Sequence, residues 1–276
     1  MESRNALTGA FCLFLLTSAC NFAGSSNETD ASLPDISAQR FITQVVATYP
    51  HDPTAFTQGL EIVDGNLWES TGEYGKSGVR QVELSTGDIL RSGNIDTRWF
   101  GEGLTAIGDG LAIQLTWKAG QAVVWDLAGP TPIDVHTYDG QGWGLCRLDE
   151  ATLAMSDGSE TLTIRRLDDL SRLTEVRVVL DGEPVKRLNE LECVDGTVWA
   201  NVWLTDTIVA IDPATGRVTG VVDASSLLTD RSSLGTDDVL NGIAHDPGSG
   251  RFLLTGKRWP TLFEVAFVSA SDGPAH

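Results

Sequence analysis

From Phe41 onward the apolar residues fall in short runs rather than at helical spacing. Runs rich in Val, Ile, Leu and Trp are divided by turn signals such as Asp64-Gly65, Thr86-Gly87-Asp88, Asp109-Gly110, Asp195-Gly196 and Asp212 to Gly216. Gly and Asp tolerate the backbone angles of tight turns, so this punctuation predicts hairpins. No long segment repeats with a 3.6-residue period, and the chain beyond Phe41 is predicted to be all-β.

A small unit recurs along these runs: one variable residue, then Gly or Glu, then Leu or Ile, and a few residues later Asp at a turn. Its copies are Gln58-Gly59-Leu60, Glu102-Gly103-Leu104, Trp143-Gly144-Leu145, Asn189-Glu190-Leu191 and Asn241-Gly242-Ile243, spaced 44, 41, 46 and 52 residues apart. That spacing is the length of a four-stranded propeller blade, so five copies predict a five-bladed β-propeller. A second apolar strand follows each copy, and two later strands follow in the first four. After the fifth copy only Leu262 to Val268 remains, one strand short. The unassigned run Phe41 to Tyr49 supplies the missing strand, closing the ring with an N-terminal strand and leaving no free edge there. Ala224 to Asp237 reads as an insertion forming a short helix or a lid.

The first strand of each blade lines a propeller's axis, so the variable positions form a ring: Gln58, Glu102, Trp143, Asn189 and Asn241. The second strand returns antiparallel to the same mouth, bringing Trp117, Trp203 and Lys257 near it, with Glu69, Ser70, Gln114, Ser156 and Asn201. Amides, one carboxylate and several indoles converging on one mouth are what a small-molecule pocket requires. Glu102 is the only acid in the ring and is the candidate for chemistry.

Charge and composition narrow the partners. Acidic residues outnumber basic ones 38 to 19, a formal charge of -19, so nucleic acid is not an expected partner. The first residues differ from the rest: a polar start with Arg4, an apolar run from Ala10 to Leu16, then Thr17-Ser18-Ala19-Cys20. This pattern is a signal peptide over residues 1–19, and the small residues before Cys20 resemble a bacterial lipobox. Residues 20–39 then read as a lipidated Cys20 and flexible tether, 40–269 as the propeller and 270–276 as a tail. The expectation is an exported, monomeric lipoprotein of the cell envelope, on the periplasmic side or the cell surface, touching the membrane only through its lipid.

The four histidines have no zinc spacing, and no metal site is expected. His51, within Tyr49-Pro50-His51-Asp52, reads as structural. Export permits a Cys146–Cys193 disulfide, while their place in inner strands favours buried thiols.

Several motifs together are specific: Phe56-Thr57-Gln58-Gly59-Leu60, Glu69-Ser70-Thr71-Gly72 with Tyr74-Gly75, Phe100-Gly101-Glu102-Gly103-Leu104, Gln114-Leu115-Thr116-Trp117, Gly142-Trp143-Gly144-Leu145, Leu188-Asn189-Glu190-Leu191-Glu192, Asn201-Val202-Trp203 and Leu240-Asn241-Gly242-Ile243-Ala244. This set resembles the plant-type glutaminyl cyclases, which are also glutamine cyclotransferases. The resemblance covers roughly residues 41–268 and implies a five-bladed propeller that turns the N-terminal glutamine of peptides or proteins into pyroglutamate, releasing ammonia with no cofactor or catalytic metal. By motif it implies Glu102 as catalytic acid and base, and Phe56, Gln58, Trp117, Trp143, Asn189, Trp203 and Lys257 as substrate-binding residues. The rival reading is a non-catalytic peptide-binding propeller of the envelope. Burial among indoles would raise the pKa of Glu102 and Lys257 would lower it, a balance residue types leave open.

Overall fold

The computed structural model describes residues 37–270. The expected signal peptide, Cys20, most of the tether and residues 271–276 lie outside the described residues. Strand β1 (Gln39–Pro50) opens the fold. Three four-stranded antiparallel sheets follow: β2 (Thr57–Val63) to β3 (Asn66–Thr71), β4 (Gly78–Val82) and β5 (Ile89–Asn94); β6 (Gly101–Gly108), β7 (Leu111–Thr116), β8 (Gln121–Asp126) and β9 (Thr131–Thr137); β10 (Leu145–Arg147), β11 (Thr152–Met155), β12 (Thr161–Arg166) and β13 (Arg172–Arg177). A small hairpin of β14 (Val179–Leu180) and β15 (Glu183–Pro184) comes next. The last strands are β16 (Leu188–Val194), β17 (Thr197–Val202), β18 (Thr207–Ile211), β19 (Val218–Asp223), β20 (Leu240–Asp246), β21 (Arg251–Gly256) and β22 (Thr261–Ser269).

Strand β1 joins the final two groups into one sheet, ordered β16-β17-β18-β19-β1-β22-β21-β20. It runs antiparallel to β22, with Phe41 opposite Ser269 and Tyr49 opposite Leu262, and parallel to β19. The first strand thus completes the last four-stranded group, as the strand count requires. The innermost strands β2, β6, β10, β16 and β20 touch in that cyclic order, with β20 returning to β2. The arrangement is all-β and propeller-like.

Alternation along the strands makes this ring. In β7, Ala112 faces the sheet before it, in a cluster with Trp68 and Val79, whereas Ile113 and Leu115 face the sheet after it, against Leu145 and Leu153. A strand buried on both faces reads as a continuous apolar run, because successive side chains point to opposite sides. Among the described residues five apolar clusters form, one between each pair of neighbouring strand groups, the last packing Leu253 and Leu262 against Leu60 and Leu67.

Two alternatives that the sequence leaves open are narrowed. Cys146 in β10 and Cys193 in β16 form a disulfide, Cα–Cα 5.4 Å apart, rather than standing as buried thiols. Ring closure brings those inner strands side by side, a proximity that sequence spacing does not encode. Residues 224–237 contain no helix; they form a series of turns held by Leu227, buried in the cluster between the last two sheets, and by an Arg231–Asp206 ion pair of 2.8 Å.

Candidate active site

The ring residues stand where the ladders skip. At four inner strands the pairing with the neighbouring strand shifts register at the variable position: between Thr57 and Gly59, Gly101 and Leu104, Leu188 and Leu191, and Leu240 and Ile243. A bulge releases a residue from the ladder and re-aims its side chain, which here frees Gln58, Glu102 and Asn189 to face the axis. The following glycine is required by the close approach of inner strands. A Cβ on Gly103 would come within 2.6 Å of the Leu145 backbone nitrogen, and one on Gly144 within 2.1 Å of the Asn189 carbonyl oxygen. Glu190 takes the glycine's place in the fourth sheet, and its carboxylate accepts the Ile243 N–H at 2.9 Å and the Leu60 N–H at 3.4 Å.

One axial cavity of about 330 Å³ gathers Phe56, Gln58, Glu102, Trp117, Trp143, Asn189, Trp203 and Lys257, all eight residues singled out from the sequence for this site. Gln58, Glu102, Asn189 and Lys257 form its deep part, each at most 5% exposed, and the aromatic rings form half-buried walls. Positions one residue outside the strands supply Lys257 and most of the walls: Phe56 precedes β2, while Trp117, Trp203 and Lys257 follow β7, β17 and β21. Backbone bonds pin them, from Trp117 N–H to Phe100 O at 2.9 Å, Trp203 N–H to Arg187 O at 2.9 Å and Lys257 N–H to Val239 O at 2.9 Å. Trp143 and Trp203 meet edge to face at 5.4 Å.

Two further residues line the cavity, Phe100 and Asp237. Phe100 stands one residue before β6, as Phe56 stands before β2, a parallel visible in the sequence. Asp237 lies in the insertion, where no repeat could place it. The fifth ring residue, Asn241, does not line the cavity. Its Nδ2 donates to Thr57 O at 2.9 Å and to Gln58 Oε1 at 3.2 Å, leaving the Gln58 amide nitrogen as the end available to a ligand.

The second-strand polar residues are scaffold. Ser70 Oγ donates to the Glu102 carbonyl and accepts from Gln114 Nε2 at 2.7 Å. Ser156 repeats this device, donating to Asn189 O at 2.6 Å and accepting the Gly144 N–H at 2.7 Å. Glu69 is fully buried and binds Thr57 Oγ1, His51 Nε2 and Arg80 Nε, which hold its carboxyl down at about 2 against the cost of burial. His51 faces two acceptors, Trp259 O at 2.6 Å and Glu69 Oε1 at 3.2 Å, so both ring nitrogens donate and the ring is an imidazolium. Burial opposes that charge, but Glu69 overrides it and the net shift is upward. His51 is structural, as its motif suggests.

Burial decides the balance at Glu102. It pushes the carboxyl well above its ordinary range, the attraction of Lys257 recovers only part, and no hydrogen bond from a described residue reaches the carboxylate. Burial likewise lowers Lys257 to about 8, although Glu102 and Asp237 favour its charged form. Around this pair, Trp143 Nε1 and Asn189 Nδ2 are buried donors with no acceptor among the described residues. The cavity therefore offers a carboxyl and an ammonium with pKa values drawn toward neutrality, unpaired N–H donors and indole walls.

Fold and site together define a propeller-like protein with an axial small-molecule pocket equipped for proton transfer. The chain belongs to the glutamine cyclotransferase family, whose model matches residues 15–267. It is 40% identical over 274 residues to a glutaminyl-peptide cyclotransferase of Arabidopsis thaliana, covering 96% of this chain and 82% of that protein. The crystal structure of Myxococcus xanthus glutaminyl cyclase superposes with a TM-score of 0.79 at 39% identity, covering 85% of this chain and all of that one.

Proposed function

We propose that this chain is a glutaminyl-peptide cyclotransferase that closes the N-terminal glutamine of a peptide to pyroglutamate with release of ammonia, using Glu102 as the proton shuttle. The observation that carries this reading is the cavity itself: a buried carboxyl with no hydrogen-bond partner among the described residues, beside an ammonium and among unpaired amide and indole donors.

The chemistry is built from those groups. The substrate's α-amine, with a reference pKa of about 7.7–8.0, attacks in its neutral form the carbon of its own side-chain carboxamide. As the new C–N bond forms, Glu102 takes a proton from the nitrogen. It then returns that proton to the departing nitrogen, so the old C–N bond breaks with ammonia rather than amide anion leaving. A carboxyl raised by burial suits both directions of transfer. The Asn189 amide, the Trp143 indole N–H and the amide nitrogen of Gln58 hold the carboxamide oxygen as it gains charge. Trp143 and Trp203 enclose the side chain and exclude water, and Lys257 offsets the Glu102 carboxylate.

Glu102→Gln keeps the shape and removes the shuttle. Ammonia release from a Gln-initiated dipeptide is expected to fall by about 10²- to 10⁴-fold, the usual worth of a positioned acid and base. A rate near wild type removes Glu102 from this role.

The three four-stranded sheets and the two halves of the joined sheet are read as five blades of one closed ring, residues 40–269 forming the catalytic domain. The N-terminal pattern further supports export and anchoring through lipidated Cys20, with the domain acting as a monomer at an envelope surface. Cys20→Ser is then expected to move the protein from the membrane to the soluble fraction; unchanged fractionation counts against the anchor.

A further inference from the structure

The cavity accounts for the glutamine of a substrate but not for the residue after it. Only the first residue reacts, so the rest of the peptide must leave through the mouth, and its second side chain comes to rest on the rim. One aromatic ladder runs outward there. Phe56 meets Phe100 at 6.0 Å, Trp117 meets Phe100 at 5.7 Å, and Tyr74 packs edge-on against Phe100 at 5.4 Å. Phe56, Phe100 and Trp117 line the cavity, whereas Tyr74 stands one ring beyond them with 57% of its surface exposed.

Scattered exposed apolar residues need no explanation in general. Most of the others here, Ile89, Leu90, Ile133, Val135 and Leu173, sit on the outer strands β5, β9 and β13. Tyr74 differs in its place and in how it is held. Its neighbour Glu73 has a positive φ of 84°, and its carboxylate accepts from Arg258 Nη2 at 2.7 Å. The Glu73 carbonyl accepts Ser77 Oγ at 2.7 Å, and Gly72 N–H donates to Phe56 O at 2.8 Å. Arg258 also binds Asp238 and lies over the Phe56 ring at 4.7 Å, tying this loop to the adjacent turn that follows β21. A loop fixed at this many points presents its aromatic ring to solvent in one orientation, with the ordering entropy already spent before a ligand arrives.

We propose that Tyr74 and Phe100 form the subsite for the second residue of the peptide, selecting an aromatic or large apolar side chain. The assignment rests on the cyclotransferase reading. Aromatic contacts of this kind predict a preference of about three- to ten-fold in kcat/KM for Gln-Phe-amide over Gln-Gly-amide. Tyr74→Ala is expected to collapse the ratio toward one, and Tyr74→Phe to retain it. Ammonia release from both peptides by wild type and both variants measures this, with intrinsic tryptophan fluorescence reporting folding. Equal kcat/KM for the two peptides in wild type overturns the subsite without any variant, as does a wild-type ratio in Tyr74→Ala. No ammonia from either peptide with folded wild type overturns the cyclotransferase reading instead, so the two failures are distinct.

Discussion

Lys257→Met is expected to make the protein more stable and less active at once. Lys257 is 5% exposed, and burial takes its pKa from 10.5 to about 8, which corresponds to about 3 kcal/mol of cost for keeping it charged in the fold. Below pH 8 both folded and unfolded chains carry the proton, and the full cost is present. Between about 8 and 10.5 the unfolded chain keeps a proton that the folded one has released, so wild-type stability rises with pH through this window. Methionine fills similar space with no charge and has no such slope. At pH 7 the variant should therefore gain up to about 3 kcal/mol, or about 6–12 °C in Tm, and the advantage should fade as pH approaches 10.5. Ammonia release should fall at least about ten-fold, because the Glu102 carboxylate loses its neighbouring cation. Urea unfolding followed by tryptophan fluorescence from pH 6.5 to 10, alongside the ammonia assay, measures both. A variant less stable than wild type at pH 7, or a stability difference that does not change with pH, refutes the reasoning.

Two other outcomes rest on the same geometry. In wild type, log kcat/KM should rise with pH at slope one below the substrate amine's pKa of about 8 and at slope two below that of Glu102. Burial places the break between slopes above 4.5, and Lys257→Met should move it further up, since Lys257 is what lowers it; a break at or below 4.5 contradicts the buried carboxyl. The Cys146–Cys193 bridge closes a segment with a separation of 47 residues, so the double serine variant should lose about 4 kcal/mol by the chain-entropy estimate. Unfolding midpoints with and without reductant check this, and coincident curves would show that the bridge contributes nothing.

What the sequence reveals and conceals divides along physical lines. Strand order, the closing strand and the axial ring are legible because burial on two faces and tight turns leave local marks every few residues. Trp117, Trp203 and Lys257 are legible because each follows a strand that ends at the mouth. Asp237 is not, since its segment has no repeat and owes its course to Leu227 and Arg231 meeting distant partners. Asn241 shares the ring pattern yet serves Gln58, a distinction made by which way an amide turns. The pairing of Cys146 with Cys193 and the dominance of burial over Lys257 at Glu102 depend on distances that only the closed ring creates.

The seam between β1 and β22 has a consequence for the molecule's history in time. Among the described strands, the one that completes the last group is the first to be synthesised, and its partner lies more than two hundred residues downstream. Bringing such distant segments together costs roughly 5 kcal/mol of chain entropy, recovered only once the zipper has formed. The earlier strand groups can assemble as they emerge, but the last waits for the end of translation, and the cavity between its inner strand and the others waits with it. A chain cut short before Thr261 would hold most of its hairpins and have no finished pocket, so catalytic competence here is a property that arrives last and all together.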